Sequence, residues 1–139
     1  MGNMKRASLV LGMCLQTIIQ AGLSLPSHAF DLAGAWTTDT SVCPKLFAKT
    51  AKAISFKRDS EEHGRGFIVD GNVIRGPRTK CAIKSKKESG SETTLIASCA
   101  TDIMIDQVQI NFKVIDDNQI VRLFPKMETF ETTYVRCPL

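Results

Sequence analysis

The chain has 139 residues and a formal net charge of +4, with 43% hydrophobic and 23% charged residues. This length leaves room for one domain with a modest core, and it excludes a multidomain architecture. Part of the basic excess belongs to the first few residues, because Lys5 and Arg6 contribute two positive charges and no acidic residue precedes position 31.

The first 29 residues have the three parts of a secretory signal peptide. A short positive start is followed by an apolar core at 7–15 (ASLVLGMCL), and the sequence SHA at 27–29 places small residues where a signal peptidase reads them. We therefore predict cleavage after Ala29, a single domain over 30–139, and a periplasmic or secreted protein. A membrane anchor over residues 7–25 is the alternative, since this stretch just reaches the length of a span.

After residue 30, apolar residues mostly alternate with polar ones in short runs bounded by turn residues, which is the pattern of β-strands. One segment, CPKLFAKTAK at 43–52, is predicted to be helical because Pro44 suits a first helical turn and Leu46, Phe47 and Ala51 could share a face. The predicted strands are 33–39, 53–58, 66–70, 73–76, 79–87, 92–101, 106–116, 119–124 and 130–137.

The segment TKCAIKSKKESGSETTLIASCA at 79–100 predicts a hairpin with residues 89–91 at its tip. This register places Cys81 opposite Cys99, and it segregates apolar from charged positions. The pairs that follow on the same face are Ile83 with Ala97 and Ser85 with Leu95. The other face carries Lys80, Lys84 and Lys86 in a row.

Two further hairpins are predicted from their turns. The Asp-Gly pair at 70–71 favours a tight turn with positive φ angles, and the Asp-Asn pair at 117–118 plays the same part between two later strands. The register of the later hairpin gives two opposed pairs, Val114 with Val121 and Phe112 with Leu123. Its predicted buried face consists of Val108, Ile110, Phe112 and Val114.

Four cysteines remain after the leader, and an even number in an exported chain predicts two disulfides. The hairpin register favours a bridge between Cys81 and Cys99, which leaves Cys43 with Cys137. A count of strand directions in a nine-strand meander also brings Cys43 and Cys137 to the same end. This connectivity is one of three that four cysteines allow.

An antiparallel meander of short strands removes its exposed edges by closing into a barrel. We therefore predict an all-β fold, a small antiparallel up-and-down β-barrel of eight or nine strands with one short helix and two disulfides. A two-sheet sandwich is the alternative. In the barrel, Gly34 would let the backbone pass closely, Trp36 would plug one end, and Cys43 would tie the first crossover to the final strand. The bulky side chains that would fill the interior and favour a packed core over a cavity are Trp36, Phe67, Phe112, Phe124 and Phe130.

The sequence LAGAW at 32–36, followed by Cys43, resembles the Leu-x-Gly-x-Trp…Cys opening of small periplasmic metalloprotease inhibitors. It is more loosely similar to the Gly-x-Trp opening of lipocalins. Both families are up-and-down barrels, so the resemblance implies a barrel that either inhibits a protein partner or carries a small apolar ligand. The whole chain also resembles small exported proteins of α-proteobacteria, a likeness that implies no activity.

Residues suited to catalysis or metal binding are few in the predicted domain. His63 is its only histidine, and Asp102 and Asp106, which could act as paired carboxylates, are better explained as solvated strand ends. Zinc sites need three or four converging ligands, and no Gly-x-Ser-x-Gly nucleophile motif occurs. We therefore predict a protein that is not an enzyme and has no metal or cofactor.

Charge is distributed unevenly along the chain. Residues 65–87 carry seven basic residues against one acid, whereas 88–139 carry eight acids and four bases. A solvated outer face explains such a cluster, and so does a docking surface for an acidic protein or an anionic envelope glycan. The seven basic residues are Arg65, Arg75, Arg78, Lys80, Lys84, Lys86 and Lys87. Nucleic acid is not expected, because no aromatic residues are interleaved to stack bases.

The leading functional hypothesis is therefore an exported binding protein, inhibitor-like, that engages an acidic macromolecule through this basic face. A lipocalin-like carrier of a small apolar ligand is the second hypothesis. A structural or stress-related envelope protein is the third.

Overall fold

The computed structural model of the protein describes residues 29–127 and 129–139. The predicted leader lies outside this part of the chain, except for Ala29. Among the residues that are described, no helix is long and apolar enough to cross a membrane.

Eight antiparallel strands close into a barrel in which neighbours along the chain are also neighbours in the sheet. In chain order the elements are β1 (Gly34–Thr37), α1 (Cys43–Leu46), β2 (Phe47–Lys49), β3 (Ile54–Phe56), β4 (Gly66–Asp70), β5 (Val73–Arg75), β6 (Lys80–Ser89), β7 (Glu92–Ala100), β8 (Ile105–Asp116), β9 (Gln119–Leu123) and β10 (Glu131–Arg136). All strands except β2 and β3 belong to the barrel, which β1 closes by pairing with β4 and β10. The predicted up-and-down barrel is confirmed.

The segment between β1 and β4 differs most from the prediction. The helix expected over 43–52 ends at Leu46, and Phe47 begins a strand that pairs with β3 in a separate two-stranded sheet. The expected strand at 53–58 is therefore not part of the barrel. Packing explains the change, because an extended Phe47 can bury its ring and contact Phe56 at 5.2 Å.

Both predicted disulfides are present, Cys43 with Cys137 and Cys81 with Cys99. They indicate an oxidising, extracytoplasmic environment. The strand count used for the first bridge was wrong, because β10 runs antiparallel to β1 in a barrel of eight strands. Cys43 reaches Cys137 by another route, since the chain after β1 folds back over the outer surface, where the Cys137 N–H donates to the Ala35 carbonyl at 2.8 Å.

Two apolar clusters hold the fold together, one inside the barrel and one outside it. The inner cluster contains Leu32, Trp36, Val69, Ile74, Cys81, Leu95, Ala97, Ile110, Phe112 and Ile120. The outer cluster lies between α1, β2 and the barrel wall, and it contains Ala35, Cys43, Leu46, Phe47, Ile68 and Cys137. The outer cluster explains why the segment after β1 packs on the barrel instead of extending into solvent.

The β6–β7 hairpin keeps the predicted register only at its cysteine end. Cys81 lies opposite Cys99 and Ile83 opposite Ala97, as predicted, but a bulge between Ile83 and Ser85 shifts the register by one residue. Ser85 consequently pairs with Ile96 and not with Leu95. The tip is also shorter than predicted, because Ser89 pairs with Glu92 across a two-residue turn.

A second bulge has the same effect in the β8–β9 hairpin. The turn at 117–118 is where it was predicted, and Asp116 pairs with Gln119. One extra residue, Ile115, then moves Val114 opposite Ile120, and Phe112 lies opposite Arg122 instead of Leu123. The predicted inner face of β8 is nevertheless confirmed, since Ile110 and Phe112 are buried and Val108 and Val114 pack against them.

Candidate functional site

One end of the barrel is closed by the segment that precedes β1. The side chain of Trp36 is fully buried there, and its indole N–H donates to the carbonyl of Leu32 at 2.9 Å. The Phe30 ring lies 6.2 Å from the Trp36 ring. This confirms that Trp36 plugs one end, which we call the closed end.

Arg136, at the end of β10, joins the parts of the closed end. Its guanidinium lies 4.3 Å from the centre of the Trp36 ring, a cation–π contact. It also donates to three carbonyls, those of Ala33, Asp31 (2.7 Å) and Asp117 (2.8 Å). The role of Arg136 was not predicted from the sequence. The available signal was its position beside Cys137 in the last strand, because that strand must pair with β1 to close a barrel.

Gly34 lies at a close approach, as predicted, but its neighbour is a side chain and not the backbone. Its φ angle is +125°, and a Cβ atom at this position would lie 3.0 Å from Nη1 of Arg136. The φ angle favours glycine, because side chains rarely adopt this backbone conformation. The close approach is to the Arg136 side chain.

The opposite end, the open end, contains a cavity of about 350 Å³. Its floor is aromatic, because the Phe67 ring lies 6.4 Å from Trp36, 6.1 Å from Phe112 and 5.0 Å from Tyr134. The complete lining is Arg65, Gly66, Phe67, Ile74, Gly76, Thr79, Cys81, Cys99, Val108, Ile110, Phe112, Arg122 and Tyr134. The walls are therefore mostly apolar, and the Cys81–Cys99 disulfide forms part of them.

The prediction that five bulky side chains fill the interior was wrong for two of them. Trp36, Phe67 and Phe112 do lie inside the barrel. Phe124 and Phe130 instead contact each other at 5.2 Å near the open end, where Phe130 is 54% exposed. Because these two rings do not enter the interior, space remains above the aromatic floor.

Two arginines face this cavity. Arg122 lies opposite the buried Phe112, so it is on the inner face of β9, and its guanidinium lies 4.8 Å from the centre of the Phe124 ring. Arg65 precedes β4 at the same end. Within residues 29–127 and 129–139, no carboxylate lies within 4.0 Å of either guanidinium. The cavity thus combines apolar walls with positive charge.

The seven basic residues predicted as one partner-binding face are divided among several places. Nη2 of Arg75 donates to the carbonyl of Ile54 at 2.9 Å, which attaches β3 to the barrel. Arg78 forms a two-bond contact with Glu61, at 2.8 and 2.7 Å, and Glu61 raises the pKa of Arg78 through this hydrogen bond and its charge. Both arginines therefore hold the 43–64 segment in place.

The predicted outward row of Lys80, Lys84 and Lys86 was wrong at Lys86. The bulge in β6 places Lys86 opposite Leu95, which is buried inside the barrel, so Lys86 is on the inner face. Its Nζ lies 3.2 Å from the carbonyl of Phe30 and 2.6 Å from a carboxylate oxygen of Glu88. Lys87 takes the outward position, and the bulge places residues 84 and 85 opposite Ile96 on the outer face.

The remaining candidate residues do not converge. His63, Asp102 and Asp106 are all exposed. In the described part of the chain, no group of three or more His, Cys, Asp or Glu side chains is arranged to hold a metal ion. Compared with models of known families, with curated proteins and with solved structures, the chain has no match.

Proposed function

We propose that the protein binds a small apolar ligand with an anionic group in the open end of its barrel. The observation that carries this proposal is the cavity of about 350 Å³ with an aromatic floor and an inward-facing arginine. Ligand sites in proteins are typically concave, mostly apolar, and about 300–1,000 Å³ in volume, with a few polar groups that orient the ligand. The cavity fits the lower end of this range.

The apolar part of the ligand would lie between Phe67, Phe112 and Tyr134. Flat aromatic rings offer a large contact area, and Ile74, Val108 and Ile110 extend the apolar wall toward the mouth. An acyl chain of moderate length has the flexibility and the cross-section to occupy such a space. We therefore assign the tail of the ligand to this class.

The anionic part of the ligand would contact Arg122. A guanidinium is always protonated, is weakly hydrated and matches the geometry of a carboxylate with two parallel hydrogen bonds. Arg122 is half-buried beside the Phe124 ring, which lowers the competition from water. Arg65, at the same mouth, would add to the positive potential.

The resemblance of the LAGAW opening to lipocalins is consistent with this proposal, because the resemblance implies a carrier of apolar ligands. The competing hypothesis of an acidic macromolecule on a basic face has less support. Arg75, Arg78 and Lys86 have contacts within the chain, so they are less available to a partner. We propose a periplasmic or secreted, non-enzymatic carrier.

Calorimetric titration with dodecanoate and with dodecan-1-ol tests the proposal. These probes share an acyl chain and differ in charge, so the unmodified protein should bind dodecanoate more tightly. Arg122→Gln should weaken dodecanoate binding about tenfold, the loss of a charge-assisted contact, and leave dodecan-1-ol unchanged. Val108→Trp, which fills the cavity, should weaken binding of both probes.

Lys84→Gln serves as the control, because it removes one positive charge from the outer face of β6. Its dodecanoate affinity should equal that of the unmodified protein. The proposal is wrong if the unmodified protein binds neither probe, or if Val108→Trp retains its fold and binds both probes normally. Near-ultraviolet circular dichroism verifies the fold of each variant.

A further inference from the structure

The first residues of β8 have a neighbouring strand on one side only. Pairing with β7 extends to Ile105, the first residue of β8, whereas pairing with β9 stops at Asn111. Among the strands of the described part of the chain, none pairs with that side of residues 105–110. We call the main chain of 105–110 on this side the free edge of β8.

A proline explains where β9 stops. Leu123 lies opposite Asn111, so continued pairing would place Pro125 opposite Gln109. Proline has no N–H group and cannot donate to a neighbouring strand. The chain turns at this point instead, and the Met127 N–H donates to the Phe124 carbonyl at 2.8 Å. The free edge therefore results from the sequence that follows β9.

The free edge presents the main-chain groups of Ile105, Gln107 and Gln109. The Val114 N–H donates to the Ser91 carbonyl at 2.7 Å, so even-numbered residues of β8 bond toward β7. Main-chain groups alternate in direction along a strand, and the odd-numbered residues consequently point the other way. All three residues of the free edge are exposed, so a further strand could reach them.

One N–H group of the free edge has a local acceptor. The Gln107 N–H donates to Oδ1 of Asp106 at 2.8 Å, and Asp106 is exposed. Exchange of this bond for one to a further strand has a small net cost, because water then solvates the carboxylate. Asp106 therefore competes with strand pairing but does not block the edge.

Exposed large apolar side chains lie beside the free edge. Three of them precede or begin β8, and two belong to the β9–β10 connection, which starts where β9 stops. We call these five the apolar rim, and they are Ile103 (91% exposed), Met104 (57%), Ile105 (77%), Met127 (53%) and Phe130 (54%). Apolar groups beside unpaired main chain indicate an interaction site.

The charges at the open end balance, which allows two open ends to approach each other. Apart from the two arginines that hold the 43–64 segment, four basic residues at this end are matched by four acidic ones. The basic residues are Arg65, Lys80, Arg122 and Lys126, and the acidic residues are Asp102, Asp106, Glu128 and Glu131. A surface without net charge favours self-association.

A second free edge, in β6, has the opposite character. Pairing of β6 with β5 stops at Ala82, and residues 84–89 continue beyond it with a neighbour on the β7 side. This stretch carries three lysines and one glutamate. Lysines on an edge strand oppose pairing with another chain, so like charges protect the β6 edge and not the β8 edge.

The alternation along β8 restricts how two free edges can pair. The same odd-numbered residues face outward in both copies, so a dimer with a two-fold axis must pair odd-numbered with odd-numbered residues. If Ile105 lay opposite the partner's Gln107, the two Asp106 carboxylates would face each other, which is unfavourable. If Gln107 lay opposite the partner's Gln109, the partner's Ile105 would meet Asn111, where β9 already pairs.

One register pairs the whole free edge. It places Gln107 opposite the partner's Gln107 and Gln109 opposite the partner's Ile105, and each such pair exchanges two main-chain hydrogen bonds. The partner's Ile105 then takes the position that β9 leaves at Pro125. This position adjoins the β9–β10 connection, so the apolar rims of the two copies come together.

We propose that two copies of the protein form a dimer by antiparallel pairing of their β8 free edges, with Gln107 at the two-fold axis. The pairing joins the two barrels through a continuous sheet. It uses main-chain groups outside the cavity, so it does not depend on whether the cavity holds a ligand.

Sedimentation velocity over a range of protein concentrations tests the dimer. Residues 30–139 contain the whole barrel and are used for all variants. Gln107→Pro removes an N–H that faces only the free edge, so it should leave the barrel intact and raise the dissociation constant of the dimer at least about tenfold. Asp106→Ser, which removes the competing carboxylate, should lower the dissociation constant.

Glu88→Pro is the matched control. Ser89 pairs with Glu92 across a two-residue turn, so the Glu88 N–H points to the unpaired side of β6, and its loss should leave the dimer unchanged. A protein that is monomeric at every concentration would overturn the proposal. A folded Gln107→Pro variant that dimerises like the parent would also overturn it. If Gln107→Pro fails to fold, the cross-linking test below decides.

Disulfide cross-linking tests the register. The four cysteines of residues 30–139 are all paired, so an added thiol has no competitor. In Gln107→Cys the two new thiols would lie opposite each other, with Cα atoms about 5.5 Å apart, which a disulfide can span. Oxidised glutathione should therefore convert this variant to a covalent dimer.

Gln109→Cys is the control for cross-linking. The partner's residue 109 lies four residues from the position opposite, roughly 13 Å away, which exceeds the reach of a disulfide. This variant should remain uncross-linked. Cross-linking of Gln109→Cys as fast as Gln107→Cys, or of neither, would contradict the proposed pairing.

Dimer formation and ligand binding can fail separately. A dimer that binds no dodecanoate would retain the edge pairing and reject the carrier function. A monomer that binds dodecanoate would retain the carrier function and reject the edge pairing.

Discussion

Arg136 connects three separate parts of the chain at the closed end of the barrel. It covers the Trp36 ring and donates to carbonyls that precede β1 and to the carbonyl of Asp117 in the β8–β9 turn. Those carbonyls are not paired within the sheet, so Arg136 replaces the hydrogen bonds that solvent would otherwise supply. A single side chain thus determines how the first residues of the domain seal the barrel.

Replacing this arginine should lower the stability of the whole domain. We expect Arg136→Ala to reduce the free energy of unfolding by about 2–4 kcal/mol, because several charge-assisted hydrogen bonds and a cation–π contact are lost. Arg136→Lys keeps the charge but cannot reach three carbonyls, so its loss should be intermediate. Urea unfolding measures both values, and an Arg136→Ala variant as stable as the parent would contradict this role.

At the scale of elements, the 43–64 segment is an addition to the outside of a closed barrel. Four contacts attach it: the Cys43–Cys137 disulfide, the Arg75 bond to Ile54, the Arg78–Glu61 ion pair, and the bond from Lys49 to the Leu139 carbonyl. Beneath them, Leu46 and Phe47 are buried against Ala35 and Ile68. The segment therefore belongs to the same cooperative unit as the barrel.

The two disulfides should contribute unequally to stability. The Cys43–Cys137 bridge spans 94 residues and the Cys81–Cys99 bridge spans 18. In the loop-entropy description, these bridges stabilise the fold by about 4–5 and about 3 kcal/mol respectively. Paired Cys→Ser variants compared by urea unfolding should show the larger loss for Cys43→Ser/Cys137→Ser. A larger loss for the hairpin bridge would mean that local packing around Cys81 outweighs chain entropy.

At the scale of the whole molecule, the two ends of the barrel differ in chemistry. The closed end is sealed by Trp36 and Arg136, whereas the open end exposes an apolar rim around a cavity. The outer lysines of β6 lie on the side wall of the barrel and not at the closed end or in the cavity of the open end. This arrangement favours function at the open end over function on the basic side.

Charge reversal on the side wall tests this distinction. The variant Lys80→Glu/Lys84→Glu/Lys87→Glu should fold normally, since exposed substitutions usually change stability by less than about 0.5 kcal/mol each. Its dodecanoate affinity should also match that of the parent. Lys86→Glu should instead destabilise the fold, because it places a second carboxylate beside Glu88 and removes the bond to Phe30. A strong loss of dodecanoate binding in the triple variant would move the ligand site to the side wall.

Local patterns in the sequence were sufficient for the main features of the fold. Alternating apolar residues predicted the barrel strands, and the turn at 117–118 lies where its residue types predicted it. The earlier hairpin turns one residue later than predicted, at 71–72, because Asp70 still pairs with Val73. The Cys81–Cys99 bridge followed from the pairing of one hairpin. These features depend on neighbours a few residues apart along the chain, so the sequence alone determined them.

Tertiary structure decided the features that depend on contacts between distant elements. No residue type marks the bulges in β6 and β8, yet each shifts a register by one residue. The first shift moves Lys86 to the inner face of β6, and the second moves Arg122 to the inner face of β9. The extended Phe47 was decided by burial against a wall formed by other strands. The cavity and its Arg122 also exist only after closure, because a cavity is bounded by side chains from many strands and no single segment contains it.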